Sequence, residues 1–361
     1  MPMRADEETL ERDAESHSTG QCSRPYEVQP DLFIRCKSRV KSKCPSCAEL
    51  YRGDWAAIAR SGVFDGPVQN FRFYLLTLTA PSFGRVHRVP RSPDAPARAC
   101  GCGLVHTVAD SGLRGVPLDA DAYDYAGQVA WNRDSGLLWD RTRRRIRDRW
   151  DSTEFFIVRE WQERGVLHVH VLLRISRAES PDAAVLGEAA RTAVAASRVD
   201  GTIVGWGDQS QCDAFRADGD GARTIWYLSK ALNYVMKDTA RAELGGRNRA
   251  WAHLARLEAA ARSMRCSVDC VPRACSSRVH SSYGARSHVV SASRRTQHRT
   301  GWSFTGLTRT VQRRLRKEWI DSNLASPPSR EDPIGVHVQW AEERLAARYR
   351  RAMGARTGRV P

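Results

Sequence analysis

A chain of 361 residues exceeds one typical domain, so two or three units are expected, and a hydrophobic content of 41% is enough to build a core. The formal charge of +16, with an isoelectric point near 9.8, points to a polyanionic partner, most often nucleic acid, with an anionic membrane surface as the alternative. No run of about 18 apolar residues occurs, which excludes a spanning helix. The acidic, polar opening MPMRADEETLERDAESHSTGQ lacks an apolar h-region and does not read as a secretory signal. The expectation is a cytoplasmic protein whose ten cysteines are metal-bound, reduced or buried rather than disulfide-paired.

Residues 1–30 read as a disordered tail. Residues 31–70 form a Cys-rich segment in which RCKSRVKSKCPSCAELYRGDW runs into a short helix. FRFYLLTLTAP (71–81) is aromatic and β-branched, predicts a strand, and is stopped by Pro81. Residues 82–120, rich in Pro, Gly and Arg, read as a long loop or small insert that carries CGCGLVH. The apolar spacing over 123–150 predicts a helix with a basic end. EFFIVREWQERGVLHVHVLLRI then predicts two strands around ERG, followed by an Ala-rich helix over 182–198 and another over 223–244. Residues 71–244 are thus read as one α+β domain. The region 245–325 is basic, with SHVVSASRR as a strand and TRTVQRRLRKEW as a helix, and is read as DNA-binding. Residues 326–361 hold a linker, ASPPSREDP, and an amphipathic helix over 338–352. No fixed-period repeat is seen.

GVLHVHVLLRI places His168 and His170 at i and i+2 of a strand, so both imidazoles share a face. If ERG is a three-residue hairpin loop with Gly165 left-handed, Gln162 faces Val166 and Glu160 faces His168. Two imidazoles and a carboxylate leave open positions for water and substrate, a donor set suited to Mg²⁺ or Mn²⁺ on a phosphate. The competing reading is an ordinary polar strand face.

In WYLSKALNYVMKD, Tyr227 and Tyr234 are seven residues apart and share a helix face, each followed three residues later by a lysine, Lys230 and Lys237. A tyrosine can be a covalent nucleophile, and a lysine can steady developing phosphoryl charge. An amphipathic helix with core tyrosines is the bland alternative. Cys44-Pro-Ser-Cys47 has zinc-knuckle spacing. A structural Zn²⁺ site of Cys44, Cys47, Cys100 and Cys102 is expected, with Cys36 or His106 as substitutes. Cys266, Cys270 and Cys275 suggest a second site with no evident fourth ligand.

FYLLTLTAP, EWQERGVLHVHVLL and YLSK…YVMKD occur in the order of the three motifs of HUH endonucleases. The chain most resembles rolling-circle replication initiators of actinomycete plasmids and integrative elements. CPSCAELYRGD, CGCGLVH, LRGVPLDADAYDYAGQVAWN, LLWDRT and SHVVSASRR extend the likeness over about residues 35–315. The resemblance implies a central antiparallel sheet flanked by helices, with the His pair on a middle strand. It also implies nicking of a single strand at an origin, through a 5′-phosphotyrosyl intermediate that frees a 3′-hydroxyl for a polymerase. Metal ligation falls on His168 and His170, and on Glu160. A common form of the third motif is Tyr-x-x-Lys-Tyr-x-x-Lys. Here Ala231 stands four residues after Tyr227, so either tyrosine can be the motif residue, with Tyr234 favoured because Lys-Asp follows.

The function expected is therefore a metal-dependent nicking endonuclease and strand transferase that acts on single-stranded and duplex origin DNA, with a host helicase and polymerase as partners and no membrane. The rivals are a non-catalytic, zinc-stabilised DNA-binding protein such as a repressor, and a transposase or relaxase of the same chemistry.

Overall fold

The computed structural model describes residues 22–29, 32–96, 98–218, 221, 224, 249–286 and 289–323. In chain order the first elements are β1 (Tyr26–Gln29), β2 (Leu32–Ile34), α1 (Pro45–Phe64), β3 (Phe71–Leu78), α2 (Tyr125–Arg147), β4 (Glu154–Trp161) and β5 (Leu167–Ser176). There follow α3 (Ala183–Arg191), β6 (Val194–Ala196), β7 (Ile203–Gly205), β8 (Gln211–Phe215), α4 (Arg249–Ser263), α5 (Arg278–Ser281), β9 (Val290–Ala292) and α6 (Arg309–Asn323). The chain divides into two compact units, one of Met1–Pro67 with Arg295–Pro361, the other of Val68–Arg294.

The Val68–Arg294 unit is α+β. Its antiparallel sheet has five strands in the order β8-β3-β5-β4-β9, which puts the His-x-His strand β5 at the centre. One face buries Leu76, Leu78, Ile157, Val169, Val171 and Leu173 against Trp131, Leu138 and Ile146 of α2. Each such side chain taken fully from water contributes about 1.5–3 kcal/mol. α2 starts at Asp124, whose carboxylate accepts from the Gly127 N–H at 2.7 Å, and ends on Arg144, Arg145 and Arg147, which complement the helix dipole. His168 and His170 project from the opposite face, because β-strand side chains alternate.

The β4–β5 turn sets that face. Glu160 pairs with His168 and Trp161 with Leu167. The Gln162 N–H then donates to Val166 O at 2.9 Å, and Gly165, at φ +74°, closes the loop. The turn is also gripped by neighbouring helices. Gln128 Nε2 donates to Arg164 O at 2.8 Å and Asn132 Nδ2 to Gly165 O at 3.0 Å. The Leu167 N–H donates to Asn132 Oδ1 at 3.2 Å, and a ring nitrogen of His253 on α4 lies 3.0 Å from Arg164 O.

In the other unit, Asp54 of α1 is almost wholly buried and is ion-paired to Arg316 and, at 3.6 Å, to Arg309 of α6. The fully buried Trp302 donates its indole N–H towards Ile58 O and Ala59 O, at 3.1 and 3.2 Å. Its ring lies so close to Gly62 that a Cβ there would fall 2.1 Å from it.

Several elements differ from the sequence reading. Part of the expected tail is ordered, since Tyr26–Gln29 pairs with β2. α1 is long, with Pro45 at its first helical position, where a missing N–H costs nothing. The helix expected over 182–198 ends at Arg191: the β-branched Thr192 turns its hydroxyl back onto Glu188 O at 2.8 Å, and Val194–Ala196 pair with β7 instead. The expected strand in SHVVSASRR is β9, and the basic helix is α6. α4 lies in a segment read only as basic. The helix over 223–244 lies almost entirely outside the described residues, and the one over 338–352 wholly so. Among the described residues, no helix is long and apolar enough to cross a membrane.

Two glycine substitutions separate turn from helix. Gly165→Ala forces a Cβ into left-handed backbone, which costs about 1–2 kcal/mol, and brings it to 2.7 Å from Leu257 Cδ1. Gly136→Ala, on α2 with nothing within 4 Å of the new Cβ, should stabilise by about 0.5–1 kcal/mol. Urea unfolding of the two variants should shift the midpoint in opposite directions.

Candidate metal centre and thiol clusters

Glu160, His168 and His170 bring one ligand atom each within 4.8 Å of one another. His170 Nε2 lies 3.4 Å from Glu160 Oε1, and the two imidazole rings stand edge to face with centroids 4.6 Å apart. His170 is buried, and its Nδ1 lies 3.2 Å from the Thr77 hydroxyl on β3. The Thr77 hydroxyl can accept from Nδ1–H, and in that tautomer Nε2 keeps a lone pair for an ion shared with Glu160. Among the described residues, Nδ1 of His168 is buried without a hydrogen-bond partner. Burial and the neighbouring His170 push the His168 pKa down to about 4, with Glu160 acting in the other direction and Arg164 and Arg91 reinforcing the fall. Both imidazoles can therefore offer lone pairs, and the set of two nitrogens and a carboxylate fits a divalent cation with open positions.

The cysteines gather into three separate groups. Cys22, Cys36, Cys44 and Cys47 form the first, His87, Cys100, Cys102 and His106 the second, and Cys266, Cys270, Cys275 and His280 the third. All ten cysteines are free thiols, Cys212 standing apart from these groups. Sγ–Sγ separations are 3.8 Å for Cys47–Cys22, 3.9 Å for Cys44–Cys22 and 3.9 Å for Cys266–Cys275. A zinc tetrahedron with bonds of about 2.3 Å has edges of about 3.8 Å, so the sulfurs sit where a tetrahedral ion places them.

Each group also has one thiol tuned towards thiolate. Burial raises Cys44, but backbone N–H groups of Cys47 and Ser23 outweigh it and bring the thiol to about 7. Burial raises Cys100 in the same way, and the N–H groups of Arg88 and Cys102 overcome it and bring that thiol to about 6. Cys270 reaches about 7, led by the backbone hydrogen bond from Cys266. The histidines are oriented from behind. His106 Nδ1 faces Asp110 Oδ2 at 3.4 Å, and His280 Nδ1 donates to Ala261 O at 2.6 Å, which leaves its Nε2 for the ion.

The expected site of Cys44, Cys47, Cys100 and Cys102 is thus redistributed. Cys44 and Cys47 are completed by Cys22 and Cys36, and Cys100 and Cys102 by His87 and His106, because each pair finds its partners within its own unit. Cys36 and His106, read as substitutes, are members of the first and second groups. Sequence reasoning missed Cys22, His87, His280 and Thr77. Cys275-x₄-His280 carries a ligand-like spacing that was available to find the third group's last member. Tyr227, Lys230, Tyr234 and Lys237 lie outside the described residues.

A mixed sheet-and-helix fold with a His-His-Glu cluster and three thiol groups defines an α+β protein with four side-chain clusters that could hold metal ions. Residues 1–352 match the family described as RepSA, replication initiator protein, pSAM2, and the chain belongs to that family. A replication initiator protein of Streptomyces ambofaciens is 32% identical over 257 residues, covering 59% of this chain and 54% of the relative. The chain thus spans about half the length of that curated relative. No solved structure matches it.

Protein purified without chelators should carry about three zinc ions, one per group. Cys22→Ser should remove one of them and Cys44→Ala the same one, as elemental analysis would show. Cys270→Ala should remove a different one, so that the double variant Cys22→Ser/Cys270→Ala retains a single ion.

The His168 shift predicts a pH effect on stability. Unfolded, this imidazole returns to about 6.5. Between there and about 4 the unfolded chain binds a proton that the folded protein refuses, so stability is present above the window and is lost as pH falls through it. Without added divalent ion, lowering the pH from about 6.5 to 5 should cost roughly 2 kcal/mol through this group. His168→Asn should reduce that loss in urea titrations at the two pH values.

Proposed function

We propose that this protein initiates replication by nicking a single strand at an origin through a tyrosine nucleophile. The observation that carries the reading is the convergence of Glu160, His168 and His170 on one sheet face, within a chain of a replication initiator family. Glu160, His168 and His170 would hold Mg²⁺ or Mn²⁺, which supplies charge neutralisation and polarisation at the scissile phosphate. Thr77 can accept from His170 Nδ1–H, the tautomer that leaves Nε2 for the ion, and burial keeps His168 neutral.

In the step proposed, the phenolic oxygen of Tyr234 attacks phosphorus, the P–O3′ bond breaks, and the departing strand takes up a proton to become a 3′-hydroxyl. The product is a 5′-phosphotyrosyl link. Lys237 steadies the phosphoryl charge, while Tyr227 with Lys230 serves a second transfer. The free 3′-hydroxyl suits a host polymerase, and strand displacement calls for a helicase. The three thiol groups hold structural Zn²⁺. A repressor would need none of the His-Glu convergence, and a transposase or relaxase would share the chemistry but not the origin.

The test is incubation with labelled origin single strand and Mn²⁺, followed by denaturing electrophoresis and peptide mapping. His168→Ala and His170→Ala should each reduce cleavage more than about a hundredfold, because even outer partners of metal ligands cost about 10–100-fold. Tyr234→Phe should abolish the covalent adduct, while Tyr227→Phe still nicks once. DNA mapped to Tyr227 alone would reverse the tyrosine assignment. Cleavage undiminished by EDTA would remove the metal from the reaction.

A further inference from the structure

Within the Val68–Arg294 unit, a cleft of about 1200 Å³ runs between the 82–120 segment and the tip of the β4–β5 hairpin. Six arginines line it: Arg85, Arg88, Arg91, Arg98, Arg114 and Arg164. Only two carboxylates do, and both are engaged. Glu163 is paired with Arg91 at 3.4 Å and Arg114 at 3.1 Å, and the exposed Asp208 with Arg191 at 3.4 Å. Among the described residues, Arg85, Arg88, Arg98 and Arg164 have no carboxylate partner. Arg85, Arg88 and Arg98 are exposed, whereas Arg164 is held by Gln162 Oε1 at 3.0 Å and is partly withdrawn from water.

The walls are built to stay in place. One carries His87, Cys100 and His106 of the second thiol group, and the other is the turn gripped by Gln128 and Asn132. At Gly207, which also lines the cleft, two backbone segments pack closely: its N–H donates to Thr79 O at 2.8 Å, and a Cβ there would meet Ala80 O at 2.5 Å. The cleft adjoins the candidate metal centre through the hairpin: Gln162 and Arg164 line it and follow Glu160, although Glu160, His168 and His170 do not themselves line it. Arg91 and Arg164 are close enough to His168 for their charges to act on it.

A recessed groove with unpaired guanidinium groups along its length suits a chain bearing one phosphate per repeat, since guanidinium and phosphate pair through paired hydrogen bonds. Positive grooves that follow the backbone are how single strands are held. We propose that this cleft is the track for single-stranded DNA entering the Glu160–His168–His170 centre, an assignment that rests on the nicking function proposed above.

Binding, rather than cleavage, tests it. Anisotropy of a fluorescein-labelled, mixed-sequence single-stranded oligonucleotide would be followed across a salt series. The variant Arg85→Ala/Arg88→Ala/Arg98→Ala should bind at least tenfold more weakly. Its plot of log K against log salt should flatten by about 0.7 for each phosphate that is no longer neutralised, or about 2 for three. Its zinc content and urea midpoint should be unchanged. The charge-matched control Arg143→Ala/Arg144→Ala/Arg262→Ala removes arginines already paired with Asp140 and Glu258 and should bind as wild type does. Unchanged affinity and slope in the cleft variant, or an equal loss in the control, would overturn the track. An equal loss on a blunt duplex would overturn its single-strand character. A wild-type protein that binds the oligonucleotide but never cleaves origin DNA would overturn the nicking reading and leave the groove as a binding site. Failure of wild type to bind at all would overturn both.

Discussion

The register of one hairpin decides whether Glu160, His168 and His170 share a face at all. Side chains alternate along a strand, so a slip of one residue between β4 and β5 would send Glu160 to the face opposite His168 and His170. The left-handed Gly165 defines the loop, and α2 holds it through Gln128 and Asn132. This accounts for polar side chains on a helix that otherwise buries Trp131, Leu138 and Ile146 in the core. A buried amide costs free energy unless it is hydrogen-bonded, and Asn132 meets the condition with bonds to Gly165 O, Tyr283 O and the Leu167 N–H. The next residue repeats the device. Arg133 is buried beside Asp134 and Ser197 and reaches the exposed Asp200, whose carboxyl its guanidinium holds well below the usual carboxylate range. α2 thus ties the metal-face hairpin and the β6–β7 loop to one rod.

What was legible in the sequence was local. The strand pair around ERG could be read because alternation, a three-residue loop and a glycine all point to the same register, and Glu160 opposite His168 followed from counting. The helix over 123–150 could be read because its apolar spacing and basic end agree. The thiol groups were only half legible. Cys44-x₂-Cys47 and Cys100-x-Cys102 announce themselves by spacing, but the partners of each are fixed by how the chain folds back. Cys22 sits in a polar stretch that looked like a tail, and His87 is remote from Cys100 in sequence. The end of α3 was illegible for a different reason. Alanines on both sides of Thr192 continue a helical composition, and only pairing with β7 pulls Val194–Ala196 into a strand.

The second thiol group has a place in the functional argument as well as in the fold. The 82–120 segment has little regular structure of its own, and a long loop without internal elements is uncommon unless something fixes it. Here the fixing points are His87, Cys100, Cys102 and His106, with Asp110 behind His106 and the His87 N–H donating to Val116 O at 2.8 Å. Arg85, Arg88 and Arg98 are interleaved with those ligands in sequence. An ion held by those four ligands would therefore do more than stabilise the segment: it would set where three exposed cations point.

Two other arginines of the cleft, Arg91 and Arg164, bear on the candidate metal centre itself. A divalent ion brought to Glu160, His168 and His170 meets a single carboxylate, with Arg91 and Arg164 nearby adding positive charge. The two guanidinium charges, which add to the burial that keeps His168 unprotonated, would also oppose the ion. On the reading proposed here, a phosphate lying against the centre supplies the missing negative charge, and the ion in turn favours the phosphate. By linkage, each then raises the other's affinity by the same factor. An empty cleft would hold the ion weakly, and a strand without the ion would be bound but not positioned for attack. On that proposal, confining tight metal binding to the DNA-loaded state would place the chemistry where the substrate already is.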